Sequence, residues 1–116
     1  MSTLRQKKIE RIIQEEIGNI IISKKVKDPR VSTLMGVSKV KVSPDIAYAK
    51  IYVSGFDPEI KLDTAVKGLN SASGFIQHLL NKHLRIRYTP KLSFYADYSI
   101  AEGFILNKKI EELNRE

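Results

Sequence analysis

His78 and His83 are the chain's two imidazoles, five residues apart in a segment whose apolar residues recur with helical spacing. Two zinc-binding histidines on one helix face need a spacing of about four, so this pair points to two surface side chains. Cysteine is absent, which removes disulfides, thiolate metal sites and a cysteine nucleophile together. Ser73-Gly74 lacks the flanking pattern of a nucleophile elbow. No glycine-rich loop ends in Lys-Ser or Lys-Thr, so nothing supports nucleotide hydrolysis. Asp45, Asp57, Asp63 and Asp97 are scattered among turns and strand ends, with nothing to argue for paired-carboxylate catalysis. The expectation is therefore no enzyme, no metal, no cofactor and no small-molecule substrate.

The chemistry that remains is that of charge. The 116 residues carry 20 Lys and Arg against 13 Asp and Glu, a net +7, and the sequence pI is about 9.7. Such a balance points to a polyanionic partner, nucleic acid first. The excess sits in two blocks, net +4 over residues 1–30 and net +4 over 59–91, while residues 92–116 are net −2. Both positive blocks are rich in apolar residues, so they read as one side of a folded body and not as a basic tail. The longest aliphatic run, Ile20-Ile21-Ile22, is far short of the roughly 20 apolar residues of a membrane span. Arg5, Gln6, Lys7 and Lys8 follow the first four residues with no apolar leader. A cytoplasmic, monomeric protein that avoids membranes is expected.

Two places could gather the cations. The first is a helix interrupted by Ser71-Ala72-Ser73-Gly74. Small residues at a kink let a phosphate or sugar approach the backbone, and the second half-helix would present free N–H groups there. Lys67, Ser71, Gly74 and His78 fall on its polar side, and Lys82, Arg85, Arg87 and Lys91 extend the basic track. The competing reading is a kink that only wraps the helix over a sheet. The second place is a sheet face carrying Lys39, Lys41, Tyr48, Lys50, Tyr52 and Tyr95, where rings between lysines could stack bases. Its competing reading is ordinary cross-strand packing. Lys25, Lys27 and Arg30 complete the candidate RNA contacts, with Ala72 and Ser73 at the kink itself. An alternative to nucleic acid is a protein-interaction module that sets its basic face against an acidic partner.

Six elements must position these residues. Ile9, Ile12, Ile13, Ile17 and Ile20 form one helical stripe, capped by Ser2 or Thr3 and fading near Ser23. Glu16 falls inside that stripe and needs a partner. Asp28-Pro29 stops helix. Lys39-Val40-Lys41-Val42 alternates as a strand, with Gly36 as a candidate bulge. Ser43-Pro44-Asp45 is a turn, and a second strand from about Ile46 to Ser54 completes an antiparallel hairpin, with Ala47, Ala49, Ile51 and Val53 on one face. Gly55-Phe56-Asp57-Pro58 is a loop. Leu62, Ala65, Val66, Leu69, Ala72, Ile76, Leu79 and Leu80 keep helical phase, as one helix bent at Ala72-Ser73-Gly74 or two with almost no linker. Leu92, Phe94 and Ala96 alternate with Ser93, Tyr95 and Asp97 as a third strand, and Ser99 caps a last helix with Ile100, Phe104, Ile110 and Leu113 as its apolar positions. The order α-β-β-α(kinked)-β-α gives an α+β fold, a three-stranded sheet with helices on one face.

The chain resembles the ribosome-binding factor A family over nearly all of residues 1–116. The likeness rests on Lys27-Asp28-Pro29-Arg30, Ser43-Pro44-Asp45, Ala49-Lys50-Ile51-Tyr52-Val53-Ser54, Ala72-Ser73-Gly74, Leu84-Arg85-Ile86-Arg87-Tyr88-Thr89-Pro90 and Leu92-Ser93-Phe94-Tyr95-Ala96-Asp97, in that order. The resemblance implies a single K-homology-like RNA-binding domain of the second topological type. It also implies binding to the small (30S) ribosomal subunit and its 16S rRNA, help in late maturation and 5′ processing of that RNA, release before translation, and greater need in the cold. Ordinary K-homology modules clamp the nucleic-acid backbone with a Gly-x-x-Gly loop. Here Gly68-Leu69-Asn70-Ser71 has only the first glycine, and Ala72-Ser73-Gly74 fits the Ala-x-Gly kink that replaces the loop in this family.

Overall fold

The first helix is set at both ends by local chemistry. In the computed structural model, which describes residues 3–32, 35–55, 61–84 and 89–99, α1 spans Leu4–Ile22. Thr3 and Gln6 form a capping box, the Thr3 hydroxyl accepting from the Gln6 N–H and the Gln6 side chain from the Thr3 N–H. At the other end Lys24 takes a left-handed φ of 57°. The N–H groups of Lys24 and Lys25 then bond the carbonyls of Ile21 and Ile20, the paired bonds of a Schellman stop. Ile9, Ile13, Ile17, Ile20 and Ile21 are buried. Ile12, expected in the stripe, lies at its margin and is exposed. Glu16, expected to find a basic partner, is half-buried and makes no ion pair among the described residues.

β1 (Met35–Val42) and β2 (Tyr48–Gly55) pair antiparallel, and β3 (Lys91–Ala96) runs parallel to β2, giving the order β1-β2-β3. The turn between β1 and β2 is held by the Ser43 hydroxyl, which donates to Asp45 and accepts from the N–H groups of Ala47 and Tyr48. β2 starts at Tyr48, later than the alternation suggested, because Ile46 has a φ of 59° and belongs to the turn; Ala47 is exposed. The irregularity in β1 falls between Val37 and Lys39, not at Gly36, which pairs regularly with Ser54. Ser38 is the extra residue. Its hydroxyl bonds the Tyr52 carbonyl at 3.2 Å and the Asp97 carboxylate at 2.7 Å, anchoring a bulge that a glycine has no side chain to anchor.

The long connection from β2 to parallel β3 is helical, as a crossover requires. It is two helices, α2 (Leu62–Ser71) and α3 (Ser73–His83), joined at Ala72 alone. Ile13, Ile17, Ile21, Met35, Ile51, Val53, Leu69, Ile76, Leu80 and Phe94 form the innermost core between sheet and helices. Both edges of the sheet are closed by side chains. On β1, Val42 donates its N–H to Glu10 and accepts from Gln6, and the Val37 carbonyl accepts from Gln14. These three residues stand one helical turn apart on α1. On β3, the Asn70 amide takes both backbone groups of Phe94. Edge groups so occupied cannot template another strand. The helix expected from Ser99 through Leu113 lies outside the described residues beyond Ser99 itself.

Candidate nucleic-acid interface

The joint between α2 and α3 is built from Asp28 upward. The Asp28 carboxylate accepts from the Arg30 N–H and, in a fork, from Arg30 Nε at 3.0 Å and Nη2 at 2.7 Å. That pairing holds the Asp28 carboxyl down at about 2, chiefly through the Arg30 side-chain bond, and raises the Arg30 guanidinium. The resulting tight loop packs on α2 at Gly68, where an added Cβ would stand 3.1–3.2 Å from Val31, Arg30 and Asp28. Gly68 is the glycine of that helix because the loop leaves no room for a side chain. Arg30 Nη2 also reaches the Ser71 hydroxyl at 3.4 Å, across 41 residues of sequence.

At Ala72 the backbone has φ −93° and ψ 6°, and its N–H bonds the carbonyls of Gly68 and Leu69. The Ala72 carbonyl in turn accepts from the Ile76 N–H at 2.9 Å. No side chain caps α3. Ser73, Gly74 and Phe75 form the first turn of α3, and the positive end of its dipole lies there. Gly74 is exposed, and a Cβ built on it would meet nothing within 4 Å. Lys67 and His78 are exposed on the same pair of helices, one turn from Ser71 and Gly74 respectively. Ala72 and Ser73 are half-buried.

The structure thus brings Arg30 together with Ser71 at the head of a fresh helix. Lys25 and Lys27 are exposed in the segment leading to that loop, and Lys82 is exposed in the last turn of α3. Arg85 and Arg87 lie outside the described residues. Lys91 is not part of this track. β3 places Leu92 and Phe94 in the core, so Lys91, Ser93 and Tyr95 face away from the helices. The same alternation puts Lys39, Lys41, Lys50 and Tyr48 on that open face. The described candidate cations therefore lie on two surfaces on opposite sides of the sheet, the two places the sequence offered, and do not converge on one. Sequence reasoning missed the Arg30–Ser71 contact and the bonding of Asp28 to Arg30. The available signal was Gly68, a glycine inside a helical pattern, which marks close approach. Among the described residues no group of three or more His, Asp or Glu could hold a metal, and no helix is long and apolar enough to cross a membrane.

A three-stranded mixed sheet with α1 and a broken helix pair on one face is a K-homology-like α+β domain. The model of the ribosome-binding factor A family matches residues 5–110. Ribosome-binding factor A of Treponema denticola is 48% identical over 113 residues, covering 97% of this chain and 86% of that protein. The Borrelia garinii subsp. bavariensis protein of the same name is 43% identical over 96% of this chain and 92% of its own. Among solved structures, the Thermus thermophilus ribosome-binding factor A crystal structure superposes with a TM-score of 0.67 at 25% identity, over 78% of this chain and 93% of that one. A homology model of the Thermus thermophilus factor, fitted into a cryo-EM map of a 30S–RbfA complex, superposes with a TM-score of 0.60 at 26% identity, over 84% of this chain and 97% of that one. The chain belongs to the ribosome-binding factor A family.

Proposed function

We propose that this protein binds the small ribosomal subunit and assists late assembly and 16S rRNA maturation, as a monomeric, non-enzymatic, cytoplasmic RNA-binding factor. The observation that carries the reading is the uncapped α3 start beside Arg30, in a chain whose family includes a member placed on the 30S subunit. A phosphate at Gly74 would take the N–H groups of Ser73, Gly74 and Phe75 and the positive end of α3. Arg30 is held over the joint by Asp28, which uses Nε and Nη2 and leaves Nη1 for such a phosphate. Because Asp28 stays ionised, Arg30 acts there as an oriented donor with little net charge, and the net attraction comes from Lys25, Lys27, Lys67 and Lys82. Lys39, Lys41, Lys50 and Lys91 would meet RNA from the other side. Backbone contacts of this kind position a protein without reading sequence, which suits recognition of a folded ribosomal RNA by its shape.

Gradient sedimentation of a cell extract, probed for this chain, tests the reading. Co-migration with 30S particles, with precursor 16S rRNA accumulating when the protein is depleted, is the expected result. Migration only with free protein, or retention on a partner after nuclease digestion of the RNA, would overturn it in favour of an acidic protein partner.

A further inference from the structure

The open sheet face is an ordered grid. Its outward residues fall in three rows: Tyr48 beside Lys91; Lys41, Lys50 and Ser93; and Lys39, Tyr52 and Tyr95. Along β2 the order is ring, lysine, ring, with Tyr48 and Tyr52 roughly 13 Å apart at strand rise. Tyr48 is 62% exposed and Tyr95 43% exposed, and the Tyr52 and Tyr95 rings stack at 5.6 Å with an interplanar angle of 29°.

Two features go beyond ordinary packing. Lys41 and Lys50 are directly paired across β1 and β2, an arrangement of like charges that destabilises a sheet. Among the described residues none of the four face lysines makes an ion pair. Asp97, at the end of β3 beside Lys39, has its carboxylate engaged by Ser38 and by the Ser99 N–H, which lower its pKa. Among the described residues Tyr48 is the most exposed ring and has no aromatic partner. A local rule broken without internal compensation marks a functional position.

We infer that this face is a second RNA site, a platform on which a single-stranded segment lays bases on Tyr48 and on the Tyr52–Tyr95 pair while Lys50 and Lys41 take the phosphate between them. Alternation of ring and cation along β2 matches alternation of base and phosphate along a strand. The occupant is an unpaired strand, since bases must be unstacked to lie on the rings, and a duplex offers only its backbone. The inference rests on the function proposed above and adds to it: α3 holds one RNA segment and the opposite side of the sheet holds another, so one small domain tethers two strands.

The test is a fluorescence titration of the full chain with a ten-nucleotide single-stranded oligoribonucleotide and with a hairpin of the same length. Tyr48→Ala should weaken single-strand binding about 5- to 160-fold, the factor that loss of one stacked base carries, with little effect on hairpin binding. Tyr48→Phe, which keeps the ring and loses the hydroxyl, should bind as the parent does. Lys50→Gln should reduce the salt slope by about 0.7. Equal binding by the parent and Tyr48→Ala, or equal loss in Tyr48→Ala and Tyr48→Phe, would overturn the platform. In parallel, the same variants are sedimented with 30S particles. If the parent binds 30S and the single strand is indifferent to Tyr48, the platform fails alone; if the parent binds neither particle nor RNA, the proposed function fails with it.

Discussion

Gly74→Ala separates stability from binding. Gly74 does not have a positive φ, is exposed, and would place a new Cβ in open space. Replacing glycine by alanine at a compatible backbone position raises stability by about 0.4–1 kcal/mol, mainly by restricting the unfolded chain. For a domain of this size that is roughly 2–6 °C in melting temperature. The same methyl group stands over the first turn of α3, where a phosphate must approach to take the Gly74 and Phe75 N–H groups. A hydrogen bond to a charged group is worth about 1.5–3 kcal/mol, so subunit affinity should fall about 10- to 100-fold. Thermal melting by circular dichroism and cosedimentation with purified 30S particles read the two effects. Gly68→Ala is the control. It gains the same chain entropy, but its Cβ meets Val31, Arg30 and Asp28 at 3.1–3.2 Å, so the gain should vanish or reverse. A more stable Gly74→Ala that binds like the parent would refute phosphate approach at the joint. A destabilised Gly74→Ala would refute the steric reasoning.

Three further outcomes follow from the geometry. Asn70→Asp keeps the acceptor for the Phe94 N–H but turns a carboxylate on the Phe94 carbonyl; it should cost about 1–2 kcal/mol at neutral pH and recover part of that on acidification, when the protonated carboxyl donates again, as denaturant titrations at two pH values would show. Asp28 has its pKa lowered from 3.8 to about 2, so the unfolded state binds the more protons between those values. The Asp28–Arg30 contribution is therefore complete above about 3.8 and disappears as pH falls through about 2; Asp28→Asn should melt below the parent at neutral pH, and a gap that failed to close on acidification would contradict the assignment. Subunit affinity should fall with salt along a log–log slope near −4 if about six phosphates of unpaired RNA are contacted, and a flat response would remove the electrostatic mechanism.

How much of this was legible in the sequence depended on range. The capping box at Thr3 and Gln6, the Ser43-Pro44-Asp45 turn and the alternation through β3 are set by residues within five positions of one another, and each is readable there. The helix joint was legible as a cluster of poor helix formers, with its two alternatives resolved only by the Ala72 backbone that separates α2 from α3. The stop of α1 was readable near Ser23, but not its form, because Lys24 takes the left-handed position that glycine usually fills. Edge closure was invisible. Gln6, Glu10 and Gln14 read as the polar side of a helix until β1 is placed beside them, and Asn70 until β3 is. Lys91, expected along the α3 track, faces the other way for the same reason, since period-two alternation decides a residue's face only once the strand's first residue is known.

A phosphate site at the joint, as proposed, would differ from a two-glycine loop in its entropy. A loop offers its N–H groups from a backbone that must be ordered at the moment of binding, and that ordering costs about 1–2 kcal/mol per residue. Here one residue separates two helices, α2 is fixed to the sheet by Asn70 and to the 28–31 loop through Gly68, and α3 is fixed through Ile76 and Leu80 in the core. The N–H groups at Ser73 and Gly74 are therefore already aligned along the axis of α3 before any phosphate arrives. Fixed donors lose little entropy on binding but cannot follow an irregular backbone. Such a site favours RNA whose phosphates are themselves held in place, as in a folded subunit, over a free strand. The proposed sheet-face platform would have the opposite character, since exposed rings and lysines adapt to an unpaired segment. Competition between a rigid ribosomal helix and a short single strand for the Gly74 site should accordingly go to the helix, and the same competition at Tyr48 to the strand.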